Sequence, residues 1–256
     1  MIYLYGLAEA GPSDVLPALE GAMGLQSALE VERIGSWSLI HSAQDDAEIT
    51  PKRRLMLTHT KVLERLLPAA PVLPARFGLV AASVTEAARL IDAQHDQISA
   101  AFERIRGCVE LGIRVSFDRQ HALLATLEAE PALRRERDAL SRRGAEAQYA
   151  MAEFGGRLAD LLDRRRGVAQ SALLDALRPV ARDHVLRAPD NDTQVLRAEF
   201  LIEAGAQDAF IQALEEAAFS LPFAADARPE IQIIGPAPFY HFVHLHLTDQ
   251  QSEVAA

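Results

Sequence analysis

At 256 residues the chain is long enough for one large or two modest domains, each with its own core. Hydrophobic residues make up 49% of it, far from the disordered range, and 36 acidic against 26 basic side chains leave a formal charge of −10. That balance argues against nucleic acid and against an anionic membrane surface, both of which bind basic faces. No apolar run approaches the roughly 20 residues of a membrane-spanning helix. The N-terminus opens on strand-like Ile2-Tyr3-Leu4-Tyr5, without the basic-then-apolar layout of a signal peptide. The single cysteine, Cys108, has no internal disulfide partner, so the expected compartment is the cytoplasm.

In chain order, Met1–Gly6 reads as a short strand ended by its glycine. Ser13-Asp14 caps a helix running to about Met23. Leu29–Arg33 and Trp37–His41 read as a hairpin around Ile34-Gly35-Ser36. Thr50-Pro51 opens a helix with Leu55, Leu57, His59, Val62, Leu63, Leu66 and Leu67 on its stripe, and Pro68 ends it. Val72–Val80 supplies the next strand. The order β-α-β-β-α-β is that of a ferredoxin-like domain.

A helix from about Val84 to Arg106 follows, capped by Ser83 or Thr85 and closed by Gly107. Val109–Phe117 is a long strand with Val109, Leu111, Ile113, Val115 and Phe117 inward and Glu110, Arg114 and Ser116 outward. Residues 118–188 read as almost continuous helix. Leu133, Leu140, Ala147, Phe154 and Leu161 recur every seven residues, joined by Met151 and Leu158, which gives a heptad seam. Gly167 is expected to break the helix, leaving Leu173, Leu174, Leu177, Ala181 and Val185 on a partner helix. An intramolecular hairpin is the favoured reading, an intermolecular coiled coil the alternative. Gly155-Gly156 in the seam points to close helix approach or a kink. Gln194–Glu203 then reads as strand, Ala206–Phe219 as helix, and Ile231–Ile234 and Phe239–Leu247 as strands. The fold expected is thus α+β: a ferredoxin-like domain over 1–106, a second α+β domain over 107–247 with a helical hairpin inserted at about 118–188, and a frayed tail over 248–256.

Two strings carry more information than this periodicity. Leu73-Pro74-Ala75-Arg76-Phe77-Gly78 sits between apolar runs as an irregular edge strand or bulge, and its arginine is expected to be partly buried and paired with Glu110. Gly235-Pro236-Ala237-Pro238-Phe239-Tyr240 is a second turn between apolar runs. With Gly107-Cys108-Val109-Glu110-Leu111-Gly112-Ile113-Arg114-Val115, these strings resemble the gas vesicle protein family GvpL/GvpF from Met1 to about Val243. The resemblance singles out Pro74, Arg76, Phe77, Gly78, Glu110, Gly235, Pro236, Pro238 and Tyr240 as a structural motif set. Ala237 and Phe239 stand where the family pattern carries a tryptophan and a further proline. The resemblance implies an accessory or minor structural protein of the gas vesicle, located there, that binds the apolar shell protein and possible further accessory proteins during assembly.

Evidence for catalysis in the sequence is thin. There is no glycine-rich phosphate loop and no Gly-x-Ser-x-Gly. Cys108, beside strand-like Val109, reads as a small buried apolar residue. Asp45-Asp46 and Glu215-Glu216 read as solvated faces, and Arg164-Arg165-Arg166 as cations complementing a helix dipole. His244 and His246 share one face of the expected last strand, with His241 on the other, and are the basis of the alternative reading: a metal- or haem-dependent enzyme on tandem ferredoxin-like domains. The reading adopted is a non-enzyme without cofactor or catalytic residues.

Overall fold

The structure is a computed structural model and describes residues 1–143 and 147–243, with Leu245 and Leu247. It falls into two compact units, residues 1–110 with 236 onward, and residues 111–235. The expected boundary at 106/107 therefore moves by four residues, and the second unit does not run to 247. Residues from Pro236 onward belong to the first unit because Phe239, Phe242 and Val243 are buried at helical spacing and Leu245 bridges to Ala75.

In the first unit, strands β1 (Ile2–Ala8), β2 (Leu29–Ile34), β3 (Trp37–Ala43) and β4 (Val72–Pro74) form an antiparallel sheet of order β2-β3-β1-β4, with β5 (Val80–Ala81) also on β1. Gly6 does not end β1. A Cβ there would lie 2.5 Å from the Leu73 carbonyl oxygen, so glycine permits β4 to approach a strand that continues to Ala8. The register slips between Leu4 and Gly6, a bulge that twists the strand. Gly35, at φ +56°, opens the tight β2–β3 turn. The first helix is short: α1 (Pro12–Val15) passes into a 3₁₀ turn at Leu16–Leu19, because Pro17 offers no backbone donor.

Helix α2 (Arg53–Leu66) covers one face of this sheet. His59, Val62, Leu63 and Leu66 are its buried residues, packed with Tyr3, Tyr5, Ile40 and Val72. The segment expected to be one helix from 84 to 106 is two, α3 (Val84–Ala93) and α4 (His95–Ile105), broken at Gln94. Ser83 Oγ caps α3 by accepting from the Glu86 N–H, while the Glu86 carboxylate accepts from the Ala82 N–H just before the cap. Phe102 on α4 stacks on Trp37 of β3, 6.0 Å between ring centroids, and seals the other face.

The second unit holds most of a four-stranded sheet of order β7-β8-β6-β9, built from β6 (Cys108–Ser116), β7 (Asp183–Leu186), β8 (Gln194–Glu203) and β9 (Glu230–Ala237). Between β6 and β7 run α5 (Arg119–Ala129), α6 (Pro131–Arg143) and α7 (Gln148–Leu177); α8 (Gln207–Phe219) links β8 to β9. With three helices where the first unit has the short α1, this repeats the strand-helix-strand-strand-helix-strand order of β1–β4, with the same spatial order of strands. Phe200 on β8 packs against Phe210 on α8 at 5.0 Å.

The helical region differs from its expected form in three places. Gly167 does not interrupt α7, which runs 30 residues to Leu177. Val185 lies on β7 rather than on a helix stripe. Nothing outside the helix's own turn lies within 4 Å of a Cβ built on Gly155, Gly156 or Gly167, so close approach by a neighbouring element does not explain them. The heptad residues Leu140, Ala147 and Phe154 do bury together, with Leu127 of α5 and flanking Leu133 and Leu158, in an intramolecular cluster. The expected strand over Phe239–Leu247 does not form at its start: Val243 N–H bonds back to the Phe239 carbonyl in a helical turn, so β9 does not continue as a hairpin or bent strand through Phe239–Val243.

Candidate functional site

The Pro74–Gly78 string forms a turn pinned from below by two side chains. Pro74 ends β4 opposite Gly6, and Leu79 N–H returns to the Arg76 carbonyl. Gly78 adopts φ +91°, the conformation glycine tolerates best. Its N–H donates to Tyr3 Oη at 3.3 Å, and Tyr3 Oη lies 2.8 Å from His59 Nδ1. The other ring nitrogen, Nε2, is 3.1 Å from the Ala75 carbonyl. A carbonyl only accepts, so Nε2 carries the proton, Nδ1 accepts, and the Tyr3 hydroxyl donates to it. Burial lowers the His59 pKa to about 4, which agrees with a neutral ring, and burial likewise drives the Tyr3 pKa upward. Phe77 closes the arrangement with its ring 5.9 Å from His59 and 6.1 Å from Tyr3, both edge-on.

Over this turn lies a cleft of about 460 Å³, entirely within the first unit. Met56, His59 and Thr60 of α2 form one wall, Pro74–Phe77 the floor, and Tyr240, Val243 and Leu245 the other wall. Apolar groups dominate it. Two polar groups stand out: the Arg76 guanidinium, which is exposed, and the Tyr240 hydroxyl, buried beside Thr60 without hydrogen-bond geometry. Burial pushes the Tyr240 pKa up to about 12, so the hydroxyl keeps its proton.

Pro74, Arg76, Phe77 and Tyr240 are thus brought to one groove, with Gly78 shaping its floor. Glu110 is placed elsewhere. Its side chain is 1% exposed, facing inward rather than outward, and its partner is His241. Glu110 Oε1 accepts from His241 Nδ1 at 2.7 Å and Oε2 from the His241 N–H at 3.3 Å. The expected Arg76–Glu110 pair is therefore absent: a buried carboxylate takes the donors nearest to it, and the arginine is solvated. Gly235, at φ +132°, and Pro236 lie on exposed β9, while the buried Pro238 accepts from Tyr240 N–H at 2.6 Å.

Cys108 is buried, as its strand position implied. His244 and His246 lie outside the described residues. Among the described residues no helix is long and apolar enough to cross a membrane. His59 and Tyr3, which organise the floor, stood in the sequence only as members of an apolar stripe and strand.

Comparison with known proteins places this architecture. Residues 1–244 match the family described as gas vesicle synthesis protein GvpL/GvpF. Gas vesicle protein F of Microcystis aeruginosa (strain PCC 7806) is 30% identical over 220 residues, which cover 84% of this chain and 87% of that protein. Gas vesicle protein F of Nostoc sp. (strain PCC 7120) is 26% identical over 219 residues, again 84% and 87%. The crystal structure of GvpF from Microcystis aeruginosa superposes with a TM-score of 0.70 at 26% identity, over 94% of this chain and 98% of that one. GvpF from Anabaena sp. PCC7120 shares the fold at a TM-score of 0.79, 24% identity and 96% and 98% coverage. With a pinned Pro-Ala-Arg-Phe-Gly turn, a mixed α+β fold and a match over nearly its whole length, the chain belongs to the gas vesicle synthesis protein GvpL/GvpF family.

Proposed function

We propose that this chain is an accessory or minor structural protein of the gas vesicle that binds the apolar shell protein and supports its assembly. One observation carries the reading: the motif residues Pro74, Arg76, Phe77 and Tyr240 line a single apolar groove rather than a set of polar catalytic groups. A shell subunit that is insoluble alone needs its apolar segments covered before it assembles, and a groove of this kind covers one in a chaperone-like manner. The two strand orders support reading each unit as ferredoxin-like, with open edges that accept a further strand. Of these edges β9 is the least protected, with Ile233 and Ile234 exposed on an eight-residue strand whose only charge is Glu230. The overall charge of −10 keeps such a complex soluble, in keeping with a cytoplasmic site of action before incorporation.

The test is binding of purified shell protein segments to wild-type protein and to Met56→Glu. Met56 is 48% exposed on the groove wall, so a charge there is tolerated by the fold. The reading expects capture by the wild type and at least a tenfold loss in the variant. Equal capture by both, or none by either, overturns it.

A further inference from the structure

Helix α2 separates two clefts of opposite character. Behind the wall it gives to the apolar groove lies a second cleft of about 390 Å³, also within the first unit. Arg54, Thr58, Lys61 and Arg65 of α2 line it, facing the loop Gly21–Leu25. Steps of seven and eleven residues keep Arg54, Lys61 and Arg65 on one face of the helix, spread over about 16 Å. Among the described residues no acidic side chain lines the cleft. The one acid of α2, Glu64, lies instead toward Tyr240, whose ionisation it opposes.

These cations are unusual for this chain. Both of its lysines, Lys52 and Lys61, lie on or next to α2. Lys52, Arg53 and Arg54 crowd the N-terminal end of the helix, where no acid in the first turn and no side-chain cap offsets them. Cations at that end oppose the helix dipole. Several other arginines on the surface are in ion pairs, for example Arg106 with Glu9, Arg119 with Asp192 and Arg197 with Asp190. None of Lys52, Arg53, Arg54, Lys61 and Arg65 pairs with a described acid; Arg65 donates only to the Glu20 carbonyl, at 3.1 Å. A protein with ten more acids than bases thus leaves Arg54, Lys61 and Arg65 unneutralised along one cleft, with Lys52 and Arg53 at the adjoining end of the helix.

We infer that this cleft docks an acidic segment of a protein partner, with carboxylates at helical or extended spacing along Arg54, Lys61 and Arg65. The line of charges is too long for one small anion to engage, and the acidic surface beyond it disfavours a nucleic acid strand. This surface is distinct from the apolar groove and takes a different chemistry, so either can fail without the other.

The experiment measures the anisotropy of a fluorescein-labelled oligoglutamate peptide titrated with the full chain at low and physiological salt. It compares the wild type, Lys61→Glu/Arg65→Glu, the single variant Lys61→Glu, and the single charge-reversal controls Arg76→Glu in the apolar groove and Arg228→Glu in an exposed loop, each of which carries the same charge change as Lys61→Glu. Circular dichroism verifies that each variant is folded. The proposal expects salt-sensitive binding, at least a tenfold loss in the double variant and less than a twofold change in either control. It is overturned if the peptide does not bind at low salt, if the double variant binds as well as the wild type, or if Arg76→Glu causes the larger loss. It is equally overturned if an oligonucleotide of equal charge binds more tightly than the peptide. A change of oligomeric state in the double variant would make a second copy of the chain the occupant, and the proposal wrong.

Discussion

Tyr3 Oη donates to His59 Nδ1 across 2.8 Å beneath the Pro74–Gly78 turn, joining the first strand, the α2 helix and the motif through one hydroxyl. The same oxygen accepts from Gly78 N–H, so its removal leaves two buried groups without partners. Tyr3→Phe is expected to lower stability by about 1–3 kcal/mol, the cost of buried polar groups left unsatisfied, as measured by urea denaturation. A loss below about 0.5 kcal/mol would show that the turn holds without this link.

His59 also sets a pH dependence. Its folded pKa is near 4, against about 6.5 when unfolded, because burial disfavours the charged ring. Between these values the unfolded chain binds a proton that the folded one does not, so stability is full above pH 6.5 and declines as the pH falls to 4. The span corresponds to roughly 3 kcal/mol at most. His41, buried on β3 and also lowered by burial, acts in the same direction. Stability measured across this window should slope less steeply in His59→Gln than in the wild type.

Glu110 and Arg76 should separate cleanly. Glu110→Ala strips the acceptor from both the ring and the backbone N–H of His241, and a loss of about 1.5–3 kcal/mol is expected for hydrogen bonds to a charged group. Arg76→Ala, at an exposed position, should stay within about 0.5 kcal/mol of wild type. Thermal melts of the two variants decide the matter; a comparable drop in both would restore the ion pair that the geometry denies.

Glycines in the two units should respond oppositely to alanine. Gly6→Ala pushes a methyl into the Leu73 carbonyl and is expected to destabilise by about 1–3 kcal/mol. Gly156→Ala and Gly167→Ala add a methyl to open space on a helix and should each stabilise by roughly 0.5–1 kcal/mol. Chemical denaturation of the three single variants gives both signs in one series.

Binding of a shell protein segment to the apolar groove should change less than tenfold, about 1.4 kcal/mol, between low and high ionic strength, because apolar contacts are not screened. Isothermal titration at two salt concentrations suffices. A steeper loss would make charge the main contributor.

Strands and their order were largely legible because Leu29–Ile34, Trp37–Ala43 and Gln194–Glu203 carry bulky or β-branched residues between clear turn residues. Where a proline or a single glycine was the only cue, the outcome depended on packing. Pro17 truncated the first helix, yet Gly167 broke nothing, because an isolated glycine weakens a long helix by too little to end it. Phe239–Leu247 alternated enough to suggest a strand, but burial of Phe239, Phe242 and Val243 follows a three-to-four spacing, which the Gly-Pro turn preceding them obscured. The motif residues of the groove were found by resemblance. Their partners were not, since Tyr3, the α2 residues Met56 and His59, and Val243 are scattered over three segments and only the fold brings them together.

The groove is closed by Tyr240, Val243 and Leu245, which follow the whole second unit in the chain, while its floor was laid down by residues 74–77. On the ribosome, the floor emerges long before its far wall. A nascent chain therefore cannot hold a partner segment in this groove until the intervening unit has been synthesised, and prematurely terminated products lack the wall altogether. Under the function proposed above, synthesis itself would act as the checkpoint, since only chains translated past Leu245 carry the complete groove.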